Sequence, residues 1–286
     1  MGFQTATAIG LEFVSTTLVN VAYVRERGAV AALPPLSLHR PRQSLRLLLT
    51  NRRWLGGFGL ESGGFALYVA ALALASLAVV QTAGAGGMAV LAYASARATG
   101  RSLGRRELFG VTISVLGLFA LGLSLTSGGN ARAEGSTIAI VLWLVATAAI
   151  ALLVILYGRR WIGAAAANGI AGGLLFSIGD ISTKLTTEGG ARFAFVIALV
   201  AGYALGTSLL QLGYQSGGAL VVAGIATLLT NALPIAAATL VLDESVPSGV
   251  LGALRVFAFA AVTAGAISLA RPEPAPTSSE PPGRAL

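Results

Sequence analysis

Carboxylates inside apolar segments are the first candidates for chemistry in this sequence. Glu12 lies in the middle of an apolar N-terminal stretch, Glu61 lies in Gly59-Leu-Glu-Ser-Gly63, and Asp180 precedes Lys184 by one helical turn. A carboxylate in a membrane-embedded helix costs about 2.5 to 3.5 kcal/mol on insertion scales, so it is tolerated where it faces a bundle interior or a water-filled cavity. Such positions favour the binding and release of cations or protons.

Other kinds of chemistry lack their residues. The chain has one histidine, His39, and no cysteine, which excludes a histidine cluster for zinc, a thiol nucleophile and disulfides. It also has no Gly-rich phosphate loop of the Walker type. We therefore expect neither an enzyme nor a resident cofactor, with H⁺ or Mg²⁺ entering only as a coupling or transported ion.

The two glutamates each allow two interpretations. Glu12 could bind a proton and a cation alternately, or it could only hydrogen-bond a neighbouring Ser or Thr. Glu61 could line the inner mouth of a cavity, or it could pair with Arg52 or Arg53 at the membrane interface. If the substrate is a divalent cation, Glu12 and Glu61 become the metal-binding carboxylates.

The pair of Asp180 and Lys184 has i, i+4 spacing, which predicts an ion pair on one helix face. Lys184 is the only lysine in the sequence. The other 18 of the 19 Lys and Arg residues are arginine. The pair could form part of a binding site, or it could neutralise itself and stabilise its helix near the outer surface.

Polar residues also surround two expected helix breaks. Pro234 removes one backbone donor within an apolar segment, next to Thr227, Thr230 and Asn231. A matching polar and Gly-rich stretch begins at Gln81 and ends at Gly87. Interrupted helices in corresponding positions of two halves point to a transporter's substrate site. Aromatic side chains that could stack on an organic cation are Tyr68, Tyr93, Trp143 and Tyr203.

The segments that must position these residues are membrane-spanning helices. The 286 residues are 55% hydrophobic and 10% charged, with a mean hydropathy of +0.81, whereas a soluble domain has about 25% charged residues. A span needs about twenty apolar residues. We predict an all-α polytopic membrane protein with about nine transmembrane helices, at roughly 5–24, 56–76, 78–97, 106–126, 136–157, 162–185, 192–213, 217–242 and 248–270.

The basic residues predict the orientation of these segments. Fifteen of them follow the first, third, fifth and ninth segments, and three lie on the opposite side. By the positive-inside rule the N-terminus is outside and the C-terminus is cytoplasmic, and we expect the protein in the cytoplasmic membrane. The formal charge of +8 therefore reports topology, and no nucleic-acid partner is expected.

The segments arrange as four, one and four. The stretch 8–20 resembles 172–184, and each opens a set of four segments, so the odd segment between them inverts the second copy. We predict a first repeat over 1–126, which contains a basic cytoplasmic loop over 25–53 with a short interfacial helix or a solvated chain. A linking helix over 127–160, a second inverted repeat over 161–270 and a disordered cytoplasmic tail over 271–286 follow.

The sequence resembles the drug/metabolite transporter superfamily, including its EamA-like members. Glu61 with Phe65 and Tyr68, the basic loop before them, and the pattern from Gln211 to Gly218 are similar to the NIPA-type magnesium transporter branch. The first segment, with Glu12 just before Thr16 and Thr17, is similar to that of the small multidrug resistance exporters. The resemblance implies a proton-relay role for Glu12. The second repeat departs from it, because Phe176 occupies the matching position and Asp180 lies one turn further on.

We thus predict a secondary transporter that moves a small cationic or zwitterionic solute by alternating access, with proton coupling as an option. A NIPA-like transporter of Mg²⁺ or another divalent cation is the sharpest alternative. The third hypothesis is a non-transporting membrane subunit or a lipid-handling protein. The expected partners are a small-molecule or ion substrate, bilayer lipids and, as an open option, a second copy in a homodimer. The candidate binding residues are Glu12, Glu61, Tyr68, Gln81, Asp180, Lys184, Thr227 and Asn231.

Overall fold

The computed structural model describes residues 3–84, 86–100, 102–123, 135–242 and 249–270, and these residues form helices and no strand. The predicted tail 271–286 and four basic residues of the charge pattern lie outside the described residues: Arg101, Arg132, Arg271 and Arg284. The helices are α1 (Phe3–Val30), α2 (Pro41–Leu49), α3 (Arg52–Leu74), α4 (Leu77–Gly84), α5 (Gly87–Thr99), α6 (Arg105–Leu123), α7 (Thr137–Leu153), α8 (Arg159–Thr187), α9 (Val196–Tyr214), α10 (Ala219–Leu240) and α11 (Val250–Ala270).

Seven stretches of the described chain are long and apolar enough to cross a membrane, which supports a polytopic membrane protein. One of them, Thr137–Thr187, has 51 residues. A straight helix of that length would extend about 77 Å, more than twice the hydrocarbon thickness of about 30 Å. The stretch instead bends at Gly163, whose φ of 81° favours glycine, and α7 packs against α8.

The region between α1 and α3 is more helical than the predicted loop over 25–53. α1 continues to Val30, so Glu26 lies on this helix and not in a loop. Of the two alternatives for this loop, the structure contains the short helix, α2, with proline in its first turn. α3 then begins at Arg52, because the Asn51 side chain accepts hydrogen bonds from the backbone N–H groups of Arg53 and Trp54.

The two predicted helix breaks differ in the structure. The third predicted segment is divided, since α4 ends at Gly84 and α5 begins at Gly87. The predicted break in the eighth segment does not form: α10 continues through Pro234. A proline inside a transmembrane helix is tolerated when neighbouring groups satisfy the backbone it frees. Only the break in the first half therefore shapes a site.

The helices pack in pairs around α8 and α10. α1 lies along α3, α8 lies along α9, α10 packs against α8, and α6 packs against α11. Large apolar side chains such as Ile138, Ile197 and Val256 are more than 70% exposed at the periphery. Such exposure matches a lipid environment, in which apolar surface carries no penalty.

Candidate functional site

A cavity of about 380 Å³ lies between α1, α3, α4, α8, α9 and α10. Seven of the eight predicted site residues line it, and they come from five helices. Lys184 does not line this cavity. The seven are Glu12, Glu61, Tyr68, Gln81, Asp180, Thr227 and Asn231.

One face of α1 supplies a polar stripe to the cavity. Glu12, Thr16, Asn20 and Tyr23 follow one another at spacings of three or four residues, which places them on the same helix face. All four are buried in the protein, and Glu12 is 5% exposed. Asn20 is held in place because its Nδ2 donates to the backbone oxygen of Thr16 at 2.8 Å. The stripe therefore presents fixed polar groups to the cavity.

The gap between α4 and α5 brings the backbone close to this stripe. Thr16 Oγ1 donates to the backbone oxygen of Gly84 at 3.1 Å. A Cβ atom on Gly84 would lie 2.9 Å from Glu12 Oε1 and 2.8 Å from Asn231 Oδ1, and one on Gly87 would overlap the Thr16 hydroxyl. Glycine at both positions thus allows the backbone to approach these side chains closely, and Glu12 and Asn231 meet at Gly84.

Asp180 lies among polar side chains of three other helices and accepts a hydrogen bond from one of them. The Tyr203 hydroxyl on α9 donates to Asp180 Oδ1. Tyr68 on α3 and Gln81 on α4 also lie within hydrogen-bonding reach of the carboxylate, and Gln81 Nε2 donates to the Tyr68 hydroxyl at 3.0 Å. Asp180 is therefore a junction between the helices that surround the cavity.

The predicted ion pair between Asp180 and Lys184 is wrong. Both are described residues, and among the ion pairs of the described chain this one is absent. Lys184 Nζ instead donates to the backbone oxygen of Leu72 at 3.3 Å, at the end of α3. The spacing places the two residues on a similar helix face, but each has a hydrogen-bond partner on another helix.

Glu61 lines the cavity, as one of the two sequence interpretations proposed. The alternative partners Arg52 and Arg53 are exposed near the start of α3. Near Glu61 lies a residue that the sequence analysis missed, Glu26. A Cβ atom on Gly57, one helical turn before Glu61 on α3, would lie 2.6 Å from Glu26 Cγ. Glu26 is 0% exposed. The signal that could have found it is its helical spacing from Asn20 and Tyr23 on the buried face of α1.

Aromatic rings form one wall of the cavity. The Phe65 and Tyr203 rings meet edge to face with centroids 4.8 Å apart, and Phe176 lies 5.7 Å from Tyr203. Of the four aromatic candidates from the sequence, Tyr68 and Tyr203 line the cavity. Tyr93 is 68% exposed, and Trp143 is not among the lining residues.

The lining has an excess of hydrogen-bond acceptors. Three carboxyl groups face the cavity, and its described lining contains no Lys, Arg or His. Three lining oxygens are buried without a hydrogen-bond partner: Glu12 Oε2, Asn20 Oδ1 and Glu61 Oε2. Buried acceptors and negative charges of this kind are stabilised by a cation or a proton.

The described residues do not form a closed metal cage. No group of three or more His, Cys, Asp or Glu side chains in the described part of the chain is arranged to hold a metal ion. The cavity therefore suits a cation that keeps part of its hydration shell, or an organic cation that fills the space beside the aromatic wall.

A comparison with curated proteins identified one partial relative. The chain is 30% identical over 145 residues to a protein from Arabidopsis thaliana named probable magnesium transporter NIPA9. The alignment covers 50% of this chain and 40% of that protein, so the chain spans less than half the length of this relative. No family model matches the chain, and no solved structure matches it.

Proposed function

We propose that this protein is a membrane transporter that carries a cation through the acid-lined cavity by alternating access, with Mg²⁺ as its first candidate substrate. The observation that carries the proposal is the cavity itself, which has three carboxyl groups and no basic side chain in its described lining. The printed name of the partial relative supports magnesium as the ion to test first.

The fit to Mg²⁺ rests on oxygen ligands. Mg²⁺ prefers six oxygens in an octahedron and usually keeps several of its waters, binding through one or two carboxylates. Glu12 and Glu61 would supply the charge, and Asn20 and Asn231 would supply amide oxygens. The neighbouring hydroxyl group of Thr16 would contact the ion's waters.

Alternating access needs two halves that move against each other, and the packing pattern supports such halves. We propose nine crossings, with α7 and α8 as separate crossings and α4 and α5 together as one. Under this count α1 with α3 corresponds to α8 with α9, and α1 with α5 corresponds to α8 with α10. In each of these four pairs, the two helices pack against each other in the structure. This correspondence supports the inverted repeat of four, one and four helices.

Proton coupling follows from the same carboxylates. A buried carboxylate that loses its cation is stabilised by a proton, so binding of one favours release of the other. Glu12 is the first candidate for this exchange because it is 5% exposed and has one unpartnered oxygen. We place the transporter in the cytoplasmic membrane with its N-terminus outside, as the basic residues indicate.

An organic cation is the second candidate substrate, and the aromatic wall favours it. An ammonium or phosphonium group near the faces of Tyr203, Phe65 and Phe176 would gain cation–π attraction. The cavity volume of about 380 Å³ lies in the range of small-molecule sites, about 300 to 1,000 Å³.

Uptake into proteoliposomes tests the proposal. Purified protein is reconstituted with a Mg²⁺-sensitive dye inside the vesicles, and Mg²⁺ is added outside, with tetraphenylphosphonium as the organic competitor. We expect protein-dependent Mg²⁺ entry that Glu12→Gln reduces at least about tenfold, which corresponds to roughly 1.4 kcal/mol. Wild-type uptake should depend on pH between about 5.5 and 8.5, and the Gln variant, which cannot ionise, should lose this dependence.

The matched control is Glu188→Gln, because Glu188 pairs with Arg192 outside the cavity. It should transport as wild type. Uptake of tetraphenylphosphonium without Mg²⁺ would select the organic cation. Normal Mg²⁺ uptake by Glu12→Gln would contradict the role of Glu12, and absence of uptake of either cation by the wild type would contradict the function.

A further inference from the structure

We propose a second cation site, formed by Glu26 and Glu61 at the far end of the cavity, where a divalent cation binds on its way past the Glu12 region. The inference rests on the proposed cation transport and deepens it. It adds Glu26, a carboxylate that lies outside the cavity lining, to the path of the ion.

The geometry of α1 connects the two sites. Glu26 follows Glu12 by nearly four helical turns, a rise of about 21 Å along the axis. Glu12, Asn20, Tyr23 and Glu26 are all on the buried face of the same helix. The polar stripe of the cavity therefore continues to Glu26 without an apolar interruption longer than one turn.

Glu26 is fixed by a chain of hydrogen bonds. Gln211 Nε2 on α9 donates to Glu26 Oε2 at 2.6 Å, and Trp54 Nε1 on α3 donates to Gln211 Oε1 at 3.1 Å. Trp54 is 3% and Gln211 is 2% exposed. Gln211 thus holds Oε2 of the Glu26 carboxyl group. Because the carboxyl group is planar and rigid, this bond also fixes the position of Oε1.

No N–H or hydroxyl donor of the described residues reaches the remaining oxygens around Glu26. Glu26 Oε1 and Glu61 Oε2 are buried without a hydrogen bond, and the same holds for the hydroxyl of Tyr214, a residue that is 1% exposed. Tyr214 follows Gln211 by three residues on α9, so it lies on the same helix face as the amide that donates to Glu26. The tyrosine is an independent sign of a ligand, because a buried hydroxyl is ordinarily satisfied.

No basic side chain neutralises the two carboxyl groups. Within the described part of the chain, neither Glu26 nor Glu61 forms an ion pair. The nearby arginines of α1 point elsewhere: Arg25 is exposed, and Arg27 Nε donates to the backbone oxygen of Gly217 at 3.5 Å. Two buried carboxylates that face each other repel strongly unless a cation or a proton lies between them.

These oxygens define the class of ligand. Two carboxylates and a phenol are hard oxygen donors, which suit Mg²⁺ or Mn²⁺ with part of its water shell retained. Glu61 faces both the cavity and Glu26, so it would pass the ion between the two sites. The bond from Gln211 to Glu26 closes this end of the path by joining α9 to α1.

Counting bound Mn²⁺ on the full-length protein in detergent tests the second site. Electron paramagnetic resonance measures the free Mn²⁺ during a titration, and we expect two ions per wild-type chain. Glu26→Gln, which keeps the side-chain shape and can still bond Gln211, should bind one ion. Glu12→Gln should also bind one, and Glu188→Gln should bind two.

The outcomes separate the second site from the proposed function. Two bound ions in Glu26→Gln would overturn the second site. The second site would also be overturned if the wild type bound one ion, Glu12→Gln bound none and Glu26→Gln still bound one. Cation binding in the cavity would then still be supported. A wild type that binds no Mn²⁺ would overturn the proposed function together with this site.

A measurement with Glu26 intact covers the case in which Glu26→Gln does not fold. Trp54 is one of three tryptophans, and replacing Trp143 and Trp161 with Phe leaves its fluorescence alone. Mn²⁺ at Glu26 would lie next to the Gln211 link to Trp54 and should quench this fluorescence saturably. If the quenching only rose linearly with Mn²⁺ concentration and did not saturate, as expected for collisions with free Mn²⁺, the site would be refuted.

Discussion

The close approach of Gly84 to Glu12 and Asn231 gives the sharpest mutational prediction. In Gly84→Ala the added Cβ would lie 2.9 Å from Glu12 Oε1 and 2.8 Å from Asn231 Oδ1. Real Cβ atoms essentially never come this near to an oxygen, so both side chains must shift. The substitution therefore displaces two cavity oxygens without altering their chemical identity.

The size of the effect follows from packing energies. Overpacking a well-filled interior costs about 1 to 3 kcal/mol, and each 1.4 kcal/mol corresponds to about a tenfold change in affinity. If the strain falls on the bound state, Gly84→Ala should weaken cation affinity about 5-fold to 150-fold. Alanine also favours a helix by roughly 0.5 to 1 kcal/mol over glycine, so we expect the protein to fold.

The matched control is Gly63→Ala on α3, where no atom lies within 4 Å of the new Cβ. Both variants are compared with wild type by Mg²⁺ uptake in proteoliposomes and by thermal unfolding in detergent. We expect reduced apparent affinity for Gly84→Ala alone. Equal affinities in the two variants would refute the contribution of Glu12 and Asn231 to binding.

Two further predictions concern topology and the junction at Asp180. Single cysteines that replace Arg53 and Glu188 should react with a membrane-impermeant maleimide from opposite faces of the membrane. The cysteine at position 53 should react from the cytoplasm, because the basic residues orient the helices. Labelling of both cysteines from one face would contradict the inverted repeat. Tyr203→Phe keeps the ring but removes a hydrogen-bond donor to Asp180. Loss of a buried partner costs about 1 to 3 kcal/mol, so its unfolding temperature should fall, and an unchanged temperature would show that the bond does not stabilise the fold.

Much of the site could be predicted from the sequence because a lipid environment restricts polar residues. A carboxylate or amide in a long apolar segment must face the protein interior, and this constraint alone identified Glu12, Asp180 and Asn231. It does not depend on the exact helix boundaries, which differed from those expected by several residues. The helical character of the chain follows from the same constraint, because an isolated segment in lipid must satisfy its own backbone.

The errors share a different cause, since they depended on the ends and neighbours of helices. Glu26 was missed because it lies among arginines, which indicated a solvated loop, whereas α1 continues to Val30 with the arginines outside and Glu26 inside. The pair of Asp180 and Lys184 was expected from spacing on one helix, but partners on other helices decided both side chains. Spacing predicts which residues share a helix face. It does not predict whether a side chain will bind a neighbour on that face or a residue on another helix.

The hydrogen bonds that cross between the proposed halves have a mirrored arrangement. At one end, Glu26 of the first half accepts from Gln211 of the second half. Toward the other end, Asp180 of the second half has Tyr68 and Gln81 of the first half within hydrogen-bonding reach.

If the protein works by the proposed alternating access, these contacts would lie where the two halves must separate. Each end is joined by a carboxyl group of one half and amide or phenol donors of the other, so opening an end requires its bonds to break. A cation that binds the carboxylate would replace those donors and lower the cost of opening that end, since a buried carboxylate needs a partner in either state. Binding at Glu26 would then favour opening where α1 ends, and binding near Asp180 would favour opening on the opposite side.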